Sequence, residues 1–431
     1  MVINSTEITS NTEPLSDLAE TLIGSEIVRL GAEIRQKIAG GEEIFNFTIG
    51  DFDSSVFPIP PTFQQEIITA YNDHFTTYPP AEGILALRRS VSKFILEKEG
   101  LHFADDEILI AAGGRPLIYA LYRAIVNKGD KVIYAVPSWN NNHYVHFTEG
   151  IHAVIETSAE NNFMPVAEQL KPHIEDAVLL ALCSPLNPTG TIFKKEELEA
   201  ICDLVIAENE RRGEGEKKLY VMYDQMYWTL LYEDSAHFNP VSLRPKMKAY
   251  TVFIDGISKA FAATGVRVGW ALGPKKVIAK IKAINSHIGA WSPMAEQHAT
   301  AQYLLKTADV DNYLSHFKDE IYIRLKNIYE GFKQLKSEGF PVDSIAPQGA
   351  IYLTVQFDLA GKTIHSGNVL KDQSAVTDFI LNEAKLAVVP FYAFGASANS
   401  SWYRLSVGTC KKQEIPKMLG YLKNALKKIK M

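Results

Sequence analysis

Lys259 ends the run Gly256-Ile257-Ser258-Lys259, and Arg267 follows eight residues later through Ala262-Ala263-Thr264-Gly265-Val266. The pair suits a cofactor that carries an aldehyde and a phosphate. A lysine amine condenses with an aldehyde, and a guanidinium grips a phosphate with its planar fork. On its own this run also fits a surface lysine and a surface arginine beside a turn. Asp224 and Tyr227 close a second stretch, Leu219-Tyr220-Val221-Met222-Tyr223-Asp224-Gln225-Met226-Tyr227. A carboxylate there can keep a pyridine nitrogen protonated, which makes the ring an electron sink. Tyr227 and Asn187, the latter in Ser184-Pro185-Leu186-Asn187-Pro188-Thr189-Gly190, supply a phenol and an amide for a ring oxygen.

Further segments extend the pattern. Ala111-Ala112-Gly113-Gly114-Arg115-Pro116-Leu117 follows a strand-like run and opens an apolar helical stretch. Free N–H groups at a helix start suit a phosphate, and glycine permits close approach, although two glycines alone also make an ordinary turn. In this order the segments resemble a class I aminotransferase, a pyridoxal 5'-phosphate enzyme of fold type I, and within that family the aspartate aminotransferases. The resemblance runs from about Ile44 to Gly408.

The resemblance implies roles. Lys259 would hold the cofactor and move the proton at the substrate's α-carbon. Asp224 would pair with the pyridine nitrogen, and Asn187 and Tyr227 with the ring oxygen. Gly113, Gly114, Arg115 and Arg267 would hold the phosphate. Trp139, in Val136-Pro137-Ser138-Trp139-Asn140, would stack on the ring; a core tryptophan is the plainer reading. Tyr78, in Thr77-Tyr78-Pro79-Pro80, would reach the phosphate of a neighbouring subunit and so require a homodimer. Gly50 would lie against the substrate. Arg404, in Tyr403-Arg404-Leu405-Ser406-Val407-Gly408, would take the α-carboxylate. It also has a local argument, since an arginine inside an apolar strand is costly unless paired. Many family members carry a phosphate-binding serine three residues before the lysine. Here that position is Gly256 and the serine is Ser258, which leaves its reach to the phosphate open.

Strands must position these groups. Apolar runs at Ile108–Ala111, Lys131–Val136, Ala153–Glu156, Val178–Cys183, Leu219–Tyr223, Thr251–Ile254 and Val268–Leu272 alternate with helical stretches such as Lys195–Glu208. That alternation predicts an α/β fold with a mostly parallel sheet covered on both faces. Ligands in such sheets bind beyond the strand C-termini, where Lys259, Asp224, Asn187 and Gly113 fall. Glu26–Ile38, Pro293–Leu305 and Val310–Leu335 read as helices. Ala350–Phe357, Ala387–Phe391 and Tyr403–Val407 read as a small sheet in a smaller α+β domain. The Lys-rich tail, Lys411–Lys430, reads as a solvated helix. The expected organisation is a loose arm over 1–24, a small domain from 25–55 with 325–431, and a large cofactor-binding domain over 56–324.

The 431 residues suffice for two domains. A net charge of −6 without a long basic block argues against nucleic acid. Cys183, Cys202 and Cys410 show no metal spacing and no disulfide framework. With no signal pattern and no apolar stretch of membrane-spanning length, the expectation is a cytoplasmic enzyme without membrane partners. The expected reaction is a ping-pong exchange between an L-amino acid, aspartate or glutamate first, and a 2-oxo acid. An aromatic or broad-specificity aminotransferase and a β-lyase on the same scaffold stay open. A dicarboxylate needs a second cation. Arg123, eight residues after Arg115, is the candidate, with an exposed helix charge as the alternative.

Overall fold

The computed structural model describes residues 14–22, 24 and 26–430. Most of the expected arm lies outside the described residues. Its described part holds one helical turn, Asp17–Glu20, capped by the Ser16 side chain. Thr21 and the Leu18 carbonyl meet the His146 ring at 3.4 and 3.2 Å.

After a two-residue strand, β1 (Phe45–Asn46), seven strands build the large sheet. They are β2 (Ile108–Ala111), β3 (Lys131–Val136), β4 (Ile151–Glu156), β5 (Ala177–Cys183), β6 (Tyr220–Asp224), β7 (Thr251–Gly256) and β8 (Gly269–Leu272). Their order is β2-β8-β7-β6-β5-β3-β4. Pairs among β3 to β7 are parallel, and β8 runs antiparallel to both β2 and β7. Alternate residues feed two cores. Val132, Leu179, Met222 and Ile254 pack with the helices Gly114–Ile125 and Lys275–Ile288; Ile133, Leu180, Tyr223 and Phe253 pack with Leu85–Glu99 and Lys195–Arg211. Burial on both faces is why these strands read as unbroken apolar runs.

A smaller antiparallel sheet has the order β12-β13-β10-β9, from β9 (Val342–Ser344), β10 (Tyr352–Phe357), β12 (Val389–Pro390) and β13 (Trp402–Ser406). The expected strand over 387–391 is divided. β11 (Leu386–Ala387) pairs in parallel with β1, and only β12 joins the small sheet. The segment before the large sheet is thus tied to the C-terminal part of the chain. The 31-residue helix Thr307–Ser337 spans both units: Val310 and Leu314 enter a core of the large sheet, and Phe317 to Leu335 enter the small one. The tail helix, Ile415–Leu426, differs from the solvated helix expected. Ile415, Met418, Leu422, Ala425 and Leu426 are buried, so the lysines occupy only its outer face.

Candidate active site

Strands β2, β5, β6 and β7 point the same way, and the loops after them meet at one edge. β6 ends on Asp224. β7 runs into Ile257-Ser258-Lys259, β5 into the turn with Asn187, and β2 into Gly113-Gly114. Gly50 comes from the loop after β1, and Arg404 from β13 of the small sheet. A cavity of about 560 Å3 is lined by Gly50, Gly114, Arg115, Trp139, Asn187, Asp224, Tyr227, Ser258, Lys259, Arg267 and Arg404. Gly113 stands directly behind Arg267.

The Lys259 amine donates to the Gly50 carbonyl at 2.6 Å. Burial lowers its pKa to about 8, Arg404, Arg115 and Arg267 push the same way, and Asp51 opposes them. An amine so placed is partly uncharged near neutral pH, which a nucleophile or base requires. Asp224 accepts only from the Met226 N–H, at 3.1 Å, and no Lys, Arg or His reaches it within 4 Å among the described residues. Burial raises its pKa to about 6. A carboxyl placed this way calls for a protonated base opposite it.

Arg404 is 1% exposed, on β13. It donates to Asn187 Oδ1 at 3.1 Å and to the Thr48 carbonyl at 2.7 Å, and stands over the Tyr352 and Phe394 rings. Its Nε has no partner, and no carboxylate pairs with it among the described residues. A buried guanidinium without a counter-charge fits an incoming carboxylate. Arg267 donates to the carbonyls of Thr264 at 2.6 Å and Ala112 at 2.7 Å. Gly113, at φ 90°, lets it approach; a Cβ there would strike the guanidinium. The helix Gly114–Ile125 starts beside it, so N–H groups and a guanidinium converge on one anion position. The donor set therefore fits pyridoxal 5'-phosphate: an amine for the aldehyde, a carboxyl for the ring nitrogen and an anion cradle for the phosphate.

One expected residue is not brought in. Arg123 is exposed and donates to the Phe147 carbonyl at 3.0 Å. Eight residues of helix carry it about 12 Å along the axis from Arg115 and about 80° around it, which turns it away from the cavity. Tyr78, expected at a neighbouring copy's phosphate and not in its own cavity, is 84% exposed and packs edge-on against Trp291. Other residues went unread in the sequence. Tyr352, in an apolar stretch that reads as core, lines the cavity and bonds the Tyr227 hydroxyl at 2.6 Å. Asp51 and Thr264 line it too and bond each other at 2.6 Å. Both sit inside segments already singled out, Asp51 next to Gly50 and Thr264 between Lys259 and Arg267, and that adjacency was the available signal. Arg115 points its guanidinium over Trp139, 5.1 Å from the ring centroid.

Comparison with known proteins agrees with this geometry. A family model described as aminotransferase class I and II matches residues 42–422. An aspartate aminotransferase of Bacillus sp. (strain YM-2) is 29% identical over 92% of this chain and 95% of its own. A probable aspartate/prephenate aminotransferase of Rickettsia felis is 29% identical over 86% of each chain. The Thermus thermophilus aspartate aminotransferase, solved with maleate, superposes with a TM-score of 0.84 at 27% identity, covering 96% of this chain and all of that one. With its large mixed sheet, its small antiparallel sheet and a match over nearly its whole length, the chain belongs to the class I and II aminotransferases.

Proposed function

We propose that this aminotransferase uses pyridoxal 5'-phosphate to move the amino group of a dicarboxylic L-amino acid, aspartate or glutamate, to a 2-oxo acid. One observation carries the reading. Three arginines without carboxylate partners among the described residues share one cavity with a buried lysine whose pKa burial depresses: Arg267 at the phosphate position, and Arg404 and Arg115 left for a substrate's two carboxylates. When bound, the cofactor supplies an aldehyde for the amine and a ring that stores the electron pair released at the substrate's α-carbon.

The chain's own residues do the rest. Lys259 would take the α-proton from the substrate and deliver it to the carbon of the cofactor's aldehyde. Asp224 holds the ring nitrogen protonated; a neutral residue there would not stabilise that charge. Asn187 and Tyr227 hold the ring oxygen, with Tyr352 fixing the Tyr227 hydroxyl. Arg404 takes the α-carboxylate with its guanidinium, which sets the α-carbon near the lysine. Arg115, expected among the phosphate groups, is read instead as the cation for the distal carboxylate, in place of Arg123. The maleate in the Thermus thermophilus structure, itself a dicarboxylate, supports an acidic substrate. Tyr78 is read as reaching the phosphate of a second copy, and residues 25–55 with 325–431 as a domain separate from 56–324.

Arg115→Gln tests the substrate assignment. It should raise the apparent KM for aspartate roughly 10- to 100-fold, the loss of one charge-assisted pair, and leave alanine almost unaffected. Equal effects on both substrates would remove Arg115 from specificity. Arg123→Gln should change neither.

A further inference from the structure

Two phenols in the cavity at Lys259 bond each other. The hydroxyls of Tyr227 and Tyr352 stand 2.6 Å apart, and the rings meet edge-on with centroids 5.4 Å apart. Both side chains are buried, and neither hydroxyl has another hydrogen-bond partner among the described residues. Tyr352 comes from β10 of the small sheet, and Tyr227 from the loop after β6 of the large one. Gly50 makes room for the Tyr352 hydroxyl, since a Cβ on it would lie 2.9 Å from that oxygen. The Gly50 carbonyl also receives the Lys259 amine, which lies 5.9 Å from the centre of the Tyr227 ring. The pair therefore stands beside the lysine.

A phenol has one proton to donate. Two bonded phenols thus hold one proton between them and one that points elsewhere. If Tyr227 donates to Tyr352, the spare proton is on Tyr352, and Tyr227 has none for a ring oxygen. If Tyr352 donates, the spare proton is on Tyr227. Burial raises both phenols, so both keep their protons at neutral pH. Two features favour donation by Tyr352. The Arg404 guanidinium stands over its ring, 4.8 Å from the centroid, and a positive charge there strengthens the O–H as a donor. A phenol that receives a hydrogen bond also donates its own proton more strongly, because bonds in a chain polarise one another.

We propose that Tyr352 is a positioning residue for the reaction: it donates to the Tyr227 oxygen and so commits the Tyr227 proton to the cofactor's ring oxygen. This role rests on Tyr227 meeting that oxygen, as read above, and on nothing about which amino acid reacts. A hydrogen bond to the ring oxygen draws charge from it and makes the Lys259 nitrogen, once joined to the cofactor, hold its proton less tightly. Tyr352 acts through Tyr227. It lies in the same strand pair as the carboxylate-binding arginine, since β10 pairs Tyr352 with Ser406 and Thr354 with Arg404 of β13. The small sheet thereby sets the ring's electronics as well as holding the substrate.

The test is a pH titration of the visible absorbance of the cofactor-loaded full chain, without substrate, in wild type, Tyr227→Phe, Tyr352→Phe and the double variant. Each substitution removes one oxygen and keeps the ring. Arg404, Asp224, Asp51, Cys183 and Lys259 surround the pair and are the same in every protein, so differences report on the two hydroxyls. Tyr227→Phe should raise the midpoint by about 1 pH unit, the worth of one charge-assisted hydrogen bond. Tyr352→Phe should raise it by about 0.3 unit or more, the share that one bond lends the next. The double variant should match Tyr227→Phe alone. A midpoint moved by Tyr227→Phe and unmoved by Tyr352→Phe would overturn the role of Tyr352 and leave Tyr227 at the ring oxygen. A further rise in the double variant would mean that Tyr352 acts directly and not through Tyr227, which also overturns the proposal. No shift in Tyr227→Phe would remove both residues from the ring oxygen.

Discussion

Lys259, Asp224 and Arg404 each pair a buried charge or amine with an incomplete set of partners, and each makes a separate prediction. Lys259→Ala should cut turnover by about 10²- to 10⁴-fold or more, the usual worth of a positioned acid–base group, with the fold intact by circular dichroism. Arg404→Lys keeps the charge but loses the fork. KM for every amino acid should rise roughly 10- to 100-fold, without discrimination between acidic and neutral side chains. Asp224 titrates near pH 6 in the folded chain against an ordinary 3.8. The folded state therefore binds that proton more tightly than the unfolded state does. In the cofactor-free protein this contribution weakens stability as pH rises from about 4 to about 6, and the full penalty persists above that. Cofactor-free Asp224→Asn should accordingly melt above wild type at about pH 8, with the gap closing toward about pH 4; a constant gap would mean that Asp224 is not the titrating group. At this scale the sequence was legible wherever a polar group ended an apolar run. Asp224 and Lys259 stood out in that way, and Arg404 as a charge inside an apolar strand. Tyr352 did not, because a tyrosine inside an apolar strand looks like core until the tertiary structure turns it toward the cavity. Arg123 was misdirected because spacing along a helix gives distance readily and direction only when the rotation is counted.

The elements that carry these groups were legible where burial is uniform. All seven strands of the large sheet begin or end within two residues of the apolar runs. In six of them both faces are covered and no polar alternation blurs the signal. The small sheet was harder. β9 is three residues long and β12 two, too short for periodicity, and the division between β11 and β12 depends on pairing with β1 from the other end of the chain. Contacts between the units make a prediction of their own. Gly190 closes the turn after Asn187 at φ 72°, and a Cβ there would strike the Tyr352 carbonyl. Nearby, Thr354 donates to the Thr189 carbonyl at 2.8 Å and the Gly349 N–H to the Gly190 carbonyl at 2.9 Å. Gly190→Ala should cost about 1–3 kcal/mol from backbone strain, read as a lower Tm, and should also weaken substrate binding because Asn187 and Tyr352 shift together. A Tm equal to wild type would show that the turn relaxes freely.

At the scale of the molecule, the cavity gathers side chains from both units. Arg404 comes from the small sheet, Gly50 from the loop after β1, and Lys259, Asp224 and Asn187 from the ends of large-sheet strands. If Tyr78 completes a neighbouring copy's site, the proteins Tyr78→Ala and Lys259→Ala, each poorly active, should regain activity when mixed and allowed to exchange subunits. Each mixed dimer would then hold one intact site; activity no greater than the average of the two would place Tyr78 outside the reaction. The central claim, amino transfer from a dicarboxylic substrate, is tested most directly by a half-reaction. The cofactor-loaded protein is given L-aspartate alone, with no 2-oxo acid, while its visible absorbance and the released product are followed. The account predicts loss of the cofactor's imine band with one equivalent of the corresponding 2-oxo acid per site, and no such conversion in Lys259→Ala. An unchanged band with aspartate and glutamate, alongside conversion by phenylalanine or alanine, would contradict the acidic specificity, and an unchanged band with every amino acid would contradict the proposed reaction itself.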